Sequence, residues 1–580
     1  MNSAVLLVVC IPLFAIAYLV YARFIGRVFG ESAARPTPAN TLKDGTDYVP
    51  ANPLVLFSHH FASISGGGPV VGPTVALIFG YAPAWIWIVV GAIFIGAVHD
   101  LSSLFMSIRE SGRSVAEIAQ KYLGKSGFLL FISFALVYIL LVTSAFLQMT
   151  ATALTSMVPL QALDVGSSRS LLKVTVSAGQ EFVKIGGIAS SSVIVITAFA
   201  PILGWLLYRR NIRASVAAVL AIVVAIASIR LGLAFPVSIS PLYWMVILSI
   251  YVFLASGIPV WLILQPRDFT NSFILFGGIG VLVVATLAGG FRGITLTAPA
   301  FNIASGQAAL GSLWPFLFIT IACGAISGFH ALVASGTTSK QIAMEGHARK
   351  IAYGGMLLEG VFAVCVITAV AGGISSETFK ATVFPPGGAS NPILGFAMGM
   401  GGLLHKSLGI NEAYGTIFGI LLVEGFVVTT LDTAVRLNRY LFEGLWRSVF
   451  GNVPRLLRNY FFNSFLCVIL MFLLAKTNAF LSIWPIFGSA NQLLAALTLT
   501  CVAVWLMRKG KTFWFALLPA GFMMVTTIAS LVELLHGNYI PRRNFTLAVA
   551  DILLLALAVA FAVLSVSIIR RTRNAEVEEA

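Results

Sequence analysis

His59, His60, His99, Asp100, His330, Glu359 and Glu424 lie inside stretches that are otherwise apolar. Ionisable groups in a membrane-spanning segment are costly, which makes them functional candidates by default. Counting from the basic flanks at 1.5 Å per residue puts His59 and His60 about 8 Å, His99 and Asp100 about 12 Å, and His330 about 9 Å into their segments. Three helices therefore bring imidazoles to one level. Three chemistries fit such a layer. His59, His60, His99 and His330 can ligate a divalent metal or a haem iron, with Asp100 beside them. They can relay protons, as intramembrane Asp/His chains do in pumps. Or each histidine only hydrogen-bonds carbonyls exposed where a helix breaks. Glu359 and Glu424 sit deeper and are candidate proton carriers, because a carboxyl that takes up a proton crosses an apolar interior uncharged.

A second set is built from oxygen. Thr429, Thr430 and Asp432 lie near the cytoplasmic end of their segment. With carbonyls from a broken helix they could complete the oxygen shell that a hard cation such as sodium prefers. The alternative is a local pair between Asp432 and Arg436, one helical turn on.

The elements that position these residues carry their own signal. Residues 57–74 read FSHHFASISGGGPVVGPT, and Ser65, Gly66, Gly67, Gly68 and Pro69 fall in the middle of an apolar run. Glycine costs backbone entropy and proline removes a donor, so a continuous helix is disfavoured there. Freed backbone groups are tolerated at membrane depth only where protein or a water-filled cavity satisfies them, and interrupted spans mark transporter binding sites. Residues 322–338 interrupt another span around Ser327 and Gly328. Asn491 and Gln492, in the stretch WPIFGSANQ, bring amides into a third apolar segment, as glue between helices or as substrate contacts.

With 58% hydrophobic and only 10% charged residues, the chain is not a soluble globular protein. Its net charge of +15 falls in short segments between apolar runs, which argues for cytoplasmic loops and against nucleic acid. Taking roughly 20 residues per crossing gives about fifteen spans. Alternate connections are rich in Lys and Arg, Arg267 among them; Arg169, Lys173, Lys184, Arg542 and Arg543 are exceptions. This places the N-terminus outside and the C-terminus in the cytoplasm, and requires residues 392–408 to be a re-entrant or surface segment on the outer side. The first apolar run is read as a retained helix rather than a signal peptide. The five cysteines lie in apolar runs and read as core residues. No phosphate-cradling loop, nucleophile elbow or His-Glu-x-x-His is present, so the chain is not read as an enzyme.

The two interrupted spans run in opposite directions, each opening a five-helix unit. The fold class expected is therefore an all-α polytopic membrane protein with a five-plus-five inverted repeat and extra helices. The divisions are 1–53 (an extra helix and loop), 54–233 (first repeat), 234–312 (two intervening helices), 313–510 (second repeat) and 511–580 (two helices and a tail).

Residues 59–73, 96–100, 258–268, 323–338, 429–439 and 484–494 together resemble the carbon starvation protein A family of bacterial inner-membrane proteins. The resemblance covers most of residues 1–510. It implies membership of the amino acid–polyamine–organocation transporters and uptake of peptides or, in some members, pyruvate with protons. The reading is a secondary transporter in the inner membrane importing a short peptide or small carboxylate, driven by a proton or sodium gradient. Its partners are then the substrate, the ion, the bilayer and a small accessory subunit left open. The runner-up is a metalloprotein or haem protein with a redox or sensing role on a transporter scaffold.

Overall fold

The computed structural model describes residues 1–45, 47–160, 174–177, 179–386, 390–450, 452–477 and 480–579; Arg169 and Lys173 lie outside them. Among the described residues, thirteen helices are long and apolar enough to cross a membrane. The chain begins with α1 (Val5–Phe29). Then α2 (Pro53–Ser65) and α3 (Gly68–Ala76) form two halves of one span, followed by α4 (Tyr81–Arg109) and α5 (Val115–Leu154). A hairpin of α6 (Ile185–Tyr208) and α7 (Ala214–Ala234) leads to α8 (Pro241–Gly257) and α9 (Leu264–Phe291). The second interrupted span is α10 (Leu313–Thr320) plus α11 (Gly328–Gly336). After it come α12 (Glu345–Gly373), α13 (Pro392–Leu408), α14 (Glu412–Val449), α15 (Tyr460–Thr477), α16 (Phe480–Met507), α17 (Trp514–Tyr539) and α18 (Phe545–Glu579). With the shorter α8 and the broken α10–α11, these account for the about fifteen spans expected from run length.

Local sequence explains the boundaries that matter. Pro53 opens α2, and the Asn52 side chain accepts from Leu54 N at 2.9 Å, capping it. The helix stops at Gly66, whose φ of 17° and ψ of −159° lie outside any helical region. Ser114 and Glu117 make a reciprocal capping box at the start of α5. Gly124, at φ 79°, then bends that helix, separating a short N-terminal arm from the long apolar part.

Packing partners repeat in pairs. In the first half, α5 packs on α15 and α16, α2 on α9, and α3 on α12. In the second, α14 packs on α8 and α9, α11 on α16, and α11 also on α4. In both sets a long helix packs on two helices, and each interrupted span packs on one helix of its own half and one of the other.

Two expectations are corrected here. Residues 392–408 do not form a surface segment: α13 is a largely buried helix clamped between α12 and α14. Its glycines make this possible, since a Cβ on Gly399 would stand 2.8 Å from Val370 Cα, and one on Gly373 only 1.9 Å from the Gly399 carbonyl oxygen. Arg267 is not a loop base. It lies in the first turn of α9 and is 1% exposed, because that helix starts nine residues before the apolar run that marked it.

Near the arm of α5, Glu110 accepts from Lys121 Nζ at 2.6 Å, Tyr122 Oη at 2.7 Å and Trp505 Nε1 at 2.9 Å. Burial pushes this carboxyl upward, but the three donors outweigh it and hold it below its ordinary range. A depressed carboxyl stabilises the fold above its unfolded-state value, and that contribution fades as pH falls through the folded-state value. Glu110→Gln should therefore cost about 1–3 kcal/mol at neutral pH. Melting in detergent should show the difference from the parent shrinking as the carboxyl becomes protonated in acid.

Candidate transport site

The two breaks meet. A Cβ on Gly68 would lie 2.3 Å from Cys323 Sγ, and one on Gly72 would lie 2.7 Å from the Thr320 carbonyl oxygen. No side chain fits between the start of α3 and the unwound residues after α10. The substrate-site candidates Ser65, Gly66, Gly67, Gly68, Pro69, Ser327 and Gly328 are all buried at this crossing. Gly66 faces Thr430 and Phe146, while Met149 of α5 fills the space over Gly67.

Asn491 and Gln492 serve the second break. Asn491 Oδ1 accepts from Tyr138 Oη at 2.6 Å, Ser327 Oγ at 3.1 Å and Phe329 N at 3.2 Å. Gln492 Nε2 donates to the Phe318 carbonyl, and Trp87 Nε1 donates to the carbonyls of Phe318 at 3.2 Å and Ile321 at 3.3 Å. The backbone groups released by unwinding thus find side-chain partners inside the protein.

Around this crossing lie two networks of buried ionisable groups. In the first, Asp100 takes one imidazole on each oxygen: His99 Nδ1 at 2.8 Å on Oδ1 and His330 Nδ1 at 2.8 Å on Oδ2. His330 Nε2 stands 3.4 Å from Glu359 Oε2. The Ile64 carbonyl, in the last turn of α2, lies beside the His330 ring. His60 hydrogen-bonds Thr338 Oγ1 through Nδ1 at 2.8 Å and packs on Gly355.

In the second network, Arg267 of α9 is ion-paired with Asp432 of α14 at 2.8 Å and lies 4.0 Å from Asp268. It also donates to Thr429 Oγ1 at 3.0 Å and to the Tyr251 hydroxyl, which itself donates to Asp432 at 2.8 Å. His59 Nδ1 joins Asp268 at 2.7 Å. Thr430 Oγ1 donates to the Ser63 carbonyl at 3.1 Å. The local pair foreseen between Asp432 and Arg436 does not form; Arg436 instead donates to the Ile258 carbonyl. Glu424 is buried in α14, apart from both networks, with neither carboxyl oxygen hydrogen-bonded.

The four candidate metal ligands are thus shared between two networks. Each commits its Nδ1 to a hydrogen bond, and among the described residues no group of three or more His, Cys, Asp or Glu is arranged to hold a metal ion. Sequence reasoning missed Arg267, Asp268 and Tyr251. Their signal was the Gln-Pro-Arg-Asp at 265–268, read as a loop because Arg267 fits the alternation of basic connections.

A cavity of about 230 Å³ opens between α5, α11 and α14. Ser335, Lys340, Tyr440, Glu443 and Arg447 line it, so both charge signs are available to a ligand.

Broken spans, paired packing and buried ionisable networks define a polytopic membrane transporter. The family model described as "Carbon starvation protein CstA" matches residues 2–388 and 376–530. The chain belongs to that family. It is 30% identical to "Peptide transporter CstA" of Bacillus subtilis (strain 168), over 91% of this chain and 89% of that protein. It is 31% identical to the protein of the same name from Escherichia coli (strain K12), over 91% and 80%. It is also 30% identical to "Pyruvate/proton symporter BtsT" of that organism, over 91% and 81%. Among solved structures, a manganese transporter of Eremococcus coleocola matches with a TM-score of 0.47 at 12% identity, covering 92% of this chain and 99% of that one. MhsT in complex with L-phenylalanine matches with a TM-score of 0.46 at 14% identity, covering 88% and 99%.

Replacing Asn491 by Ala leaves the Tyr138 hydroxyl, the Ser327 hydroxyl and the Phe329 N–H without their shared acceptor. A buried unsatisfied group costs about 1–3 kcal/mol. The variant should melt well below the parent, with a larger drop than Glu110→Gln; equal melting would show that the second break does not depend on this amide.

Proposed function

We propose that this protein imports short peptides or a small carboxylate such as pyruvate by proton symport, with its N-terminus outside and its C-terminus in the cytoplasm. The named relatives supply the substrate classes. The observation that carries the coupling ion is Arg267. Its guanidinium already occupies the oxygens of Thr429 and Asp432 that a sodium ion would need. A fixed internal cation takes the place of a transported one, which leaves the proton as the driving ion.

The binding site in this reading is the crossing of the two breaks, where Ser65–Pro69 meets Ser327–Gly328. The N-terminal ends of α3 and α11 turn their positive dipole ends to this crossing, suited to a substrate carboxylate. The charged cavity between α5, α11 and α14 is the exit side, with Lys340 and Arg447 for the carboxylate and Glu443 for a peptide amine. Packing also supports a different division of the first repeat: α2–α3, α4, α5, α8 and α9 match α10–α11, α12, α14, α15 and α16. The α6–α7 hairpin is then an insertion into the first repeat, and nothing separates the repeats but the segment before α10.

In proteoliposomes, labelled pyruvate or dialanine should accumulate under an outside-acid gradient without sodium. An inward sodium gradient at equal pH should drive none; accumulation under sodium alone would overturn the coupling assignment.

A further inference from the structure

With Asp100 ionised, the geometry around it sets where the neighbouring protons are and leaves one position variable. An ionised carboxylate only accepts hydrogen bonds. With Asp100 ionised, both imidazoles must present Nδ1–H to it, at 2.8 Å each. In the neutral ring the opposite nitrogen is then a bare acceptor. For His330 that acceptor, Nε2, stands 3.4 Å from Glu359 Oε2 with no hydrogen bond formed between them, and the Ile64 carbonyl lies beside the same ring. Acceptors brought this close inside a protein repel when none carries a proton, so a proton shared here relieves the contact.

Every other titratable group near the gap is accounted for. His99 and Asp100 face it from α4, His60 from α2, and Cys323 from the unwound segment after α10. Among the described residues there, only Glu359 has a carboxyl with both oxygens unpartnered. The position is also mechanically suited. His330 lies in the first turn of α11, directly after the second break, and its ring touches the Ile64 carbonyl before the first. Glu359 belongs to α12, which packs on both α2 and α3.

We infer that the Glu359–His330 pair, braced by Asp100, is the proton-binding site that couples transport to the gradient. The proton sits on Glu359 Oε2, donated towards His330 Nε2, or on Nε2 with Glu359 ionised. When it leaves, the carboxylate and the bare nitrogen push α11 and α12 apart at the level of both breaks. This rests on the proton-symport reading and assigns to that reading its residues.

The test uses the full-length protein in vesicles with labelled pyruvate and labelled dialanine. For one proton per substrate, one pH unit supports about tenfold accumulation. If the parent accumulates neither compound, the symport reading itself fails. Given a working parent, Glu359→Gln should still exchange labelled for unlabelled substrate but without the parental pH dependence, while accumulation under the gradient falls to about onefold. Glu359→Asp, which keeps a carboxyl, should recover part of the accumulation. Gradient-driven accumulation by the Gln variant overturns the assignment and points to the His59–Asp268 pair instead. So does exchange that keeps the parental pH dependence. Loss of exchange in both variants, with melting and elution like the parent, also overturns it, because Glu359 would then serve binding rather than coupling.

Discussion

A helix interrupted inside a membrane releases backbone groups that no lipid can satisfy, and the whole arrangement follows from meeting that demand twice. At the first break the Ser63 carbonyl takes the Thr430 hydroxyl. At the second the demand is larger, and Asn491, Gln492 and Trp87 meet it from two neighbouring helices. The partners come from α4, α14 and α16, so the breaks can exist only inside a bundle already assembled around them. That is why the two interrupted spans are buried where they break, and why they touch each other there.

Charge imposes the same discipline. Asp432 and Asp268 share Arg267 and His59; Asp100 is bracketed by two imidazoles. A buried charge deprived of its partner costs about 3–5 kcal/mol, so these networks are structural before they are anything else. Each also spans helices from both halves of the molecule. The Arg267 network joins α2, α8, α9 and α14, and the Asp100 network joins α4, α11 and α12. A change in either is felt across the boundary between the halves.

Much of this was legible in the sequence for physical reasons. The run lengths marked the spans, the Gly-Pro cluster at 66–73 marked the first break and the glycines within 322–338 the second, because each signal is local. What could not be read was pairing. His59 and His60 are neighbours in sequence yet bond to different helices, Asp268 of α9 and Thr338 beyond α11. Asp432 chose Arg267, 165 positions away, over Arg436, because Arg436 is drawn to the Ile258 carbonyl. Arg267 itself was hidden by its fit to a charge rule that counts bases without knowing where a helix starts. Residues 392–408 were misplaced because their glycines suggest irregular backbone, whereas here they serve contact between regular helices.

That contact has a mechanical consequence. Where Gly373 meets Gly399 and Gly401 meets Gly415, main chain touches main chain with no side chain between. Rotamer changes, which let packed helices slide, have nothing to act on there. α12, α13 and α14 are therefore a single rigid plate, and any shear in the transport cycle has to pass along its edges. One edge is the seam where α14 lies against α2 and the unwound residues between α2 and α3.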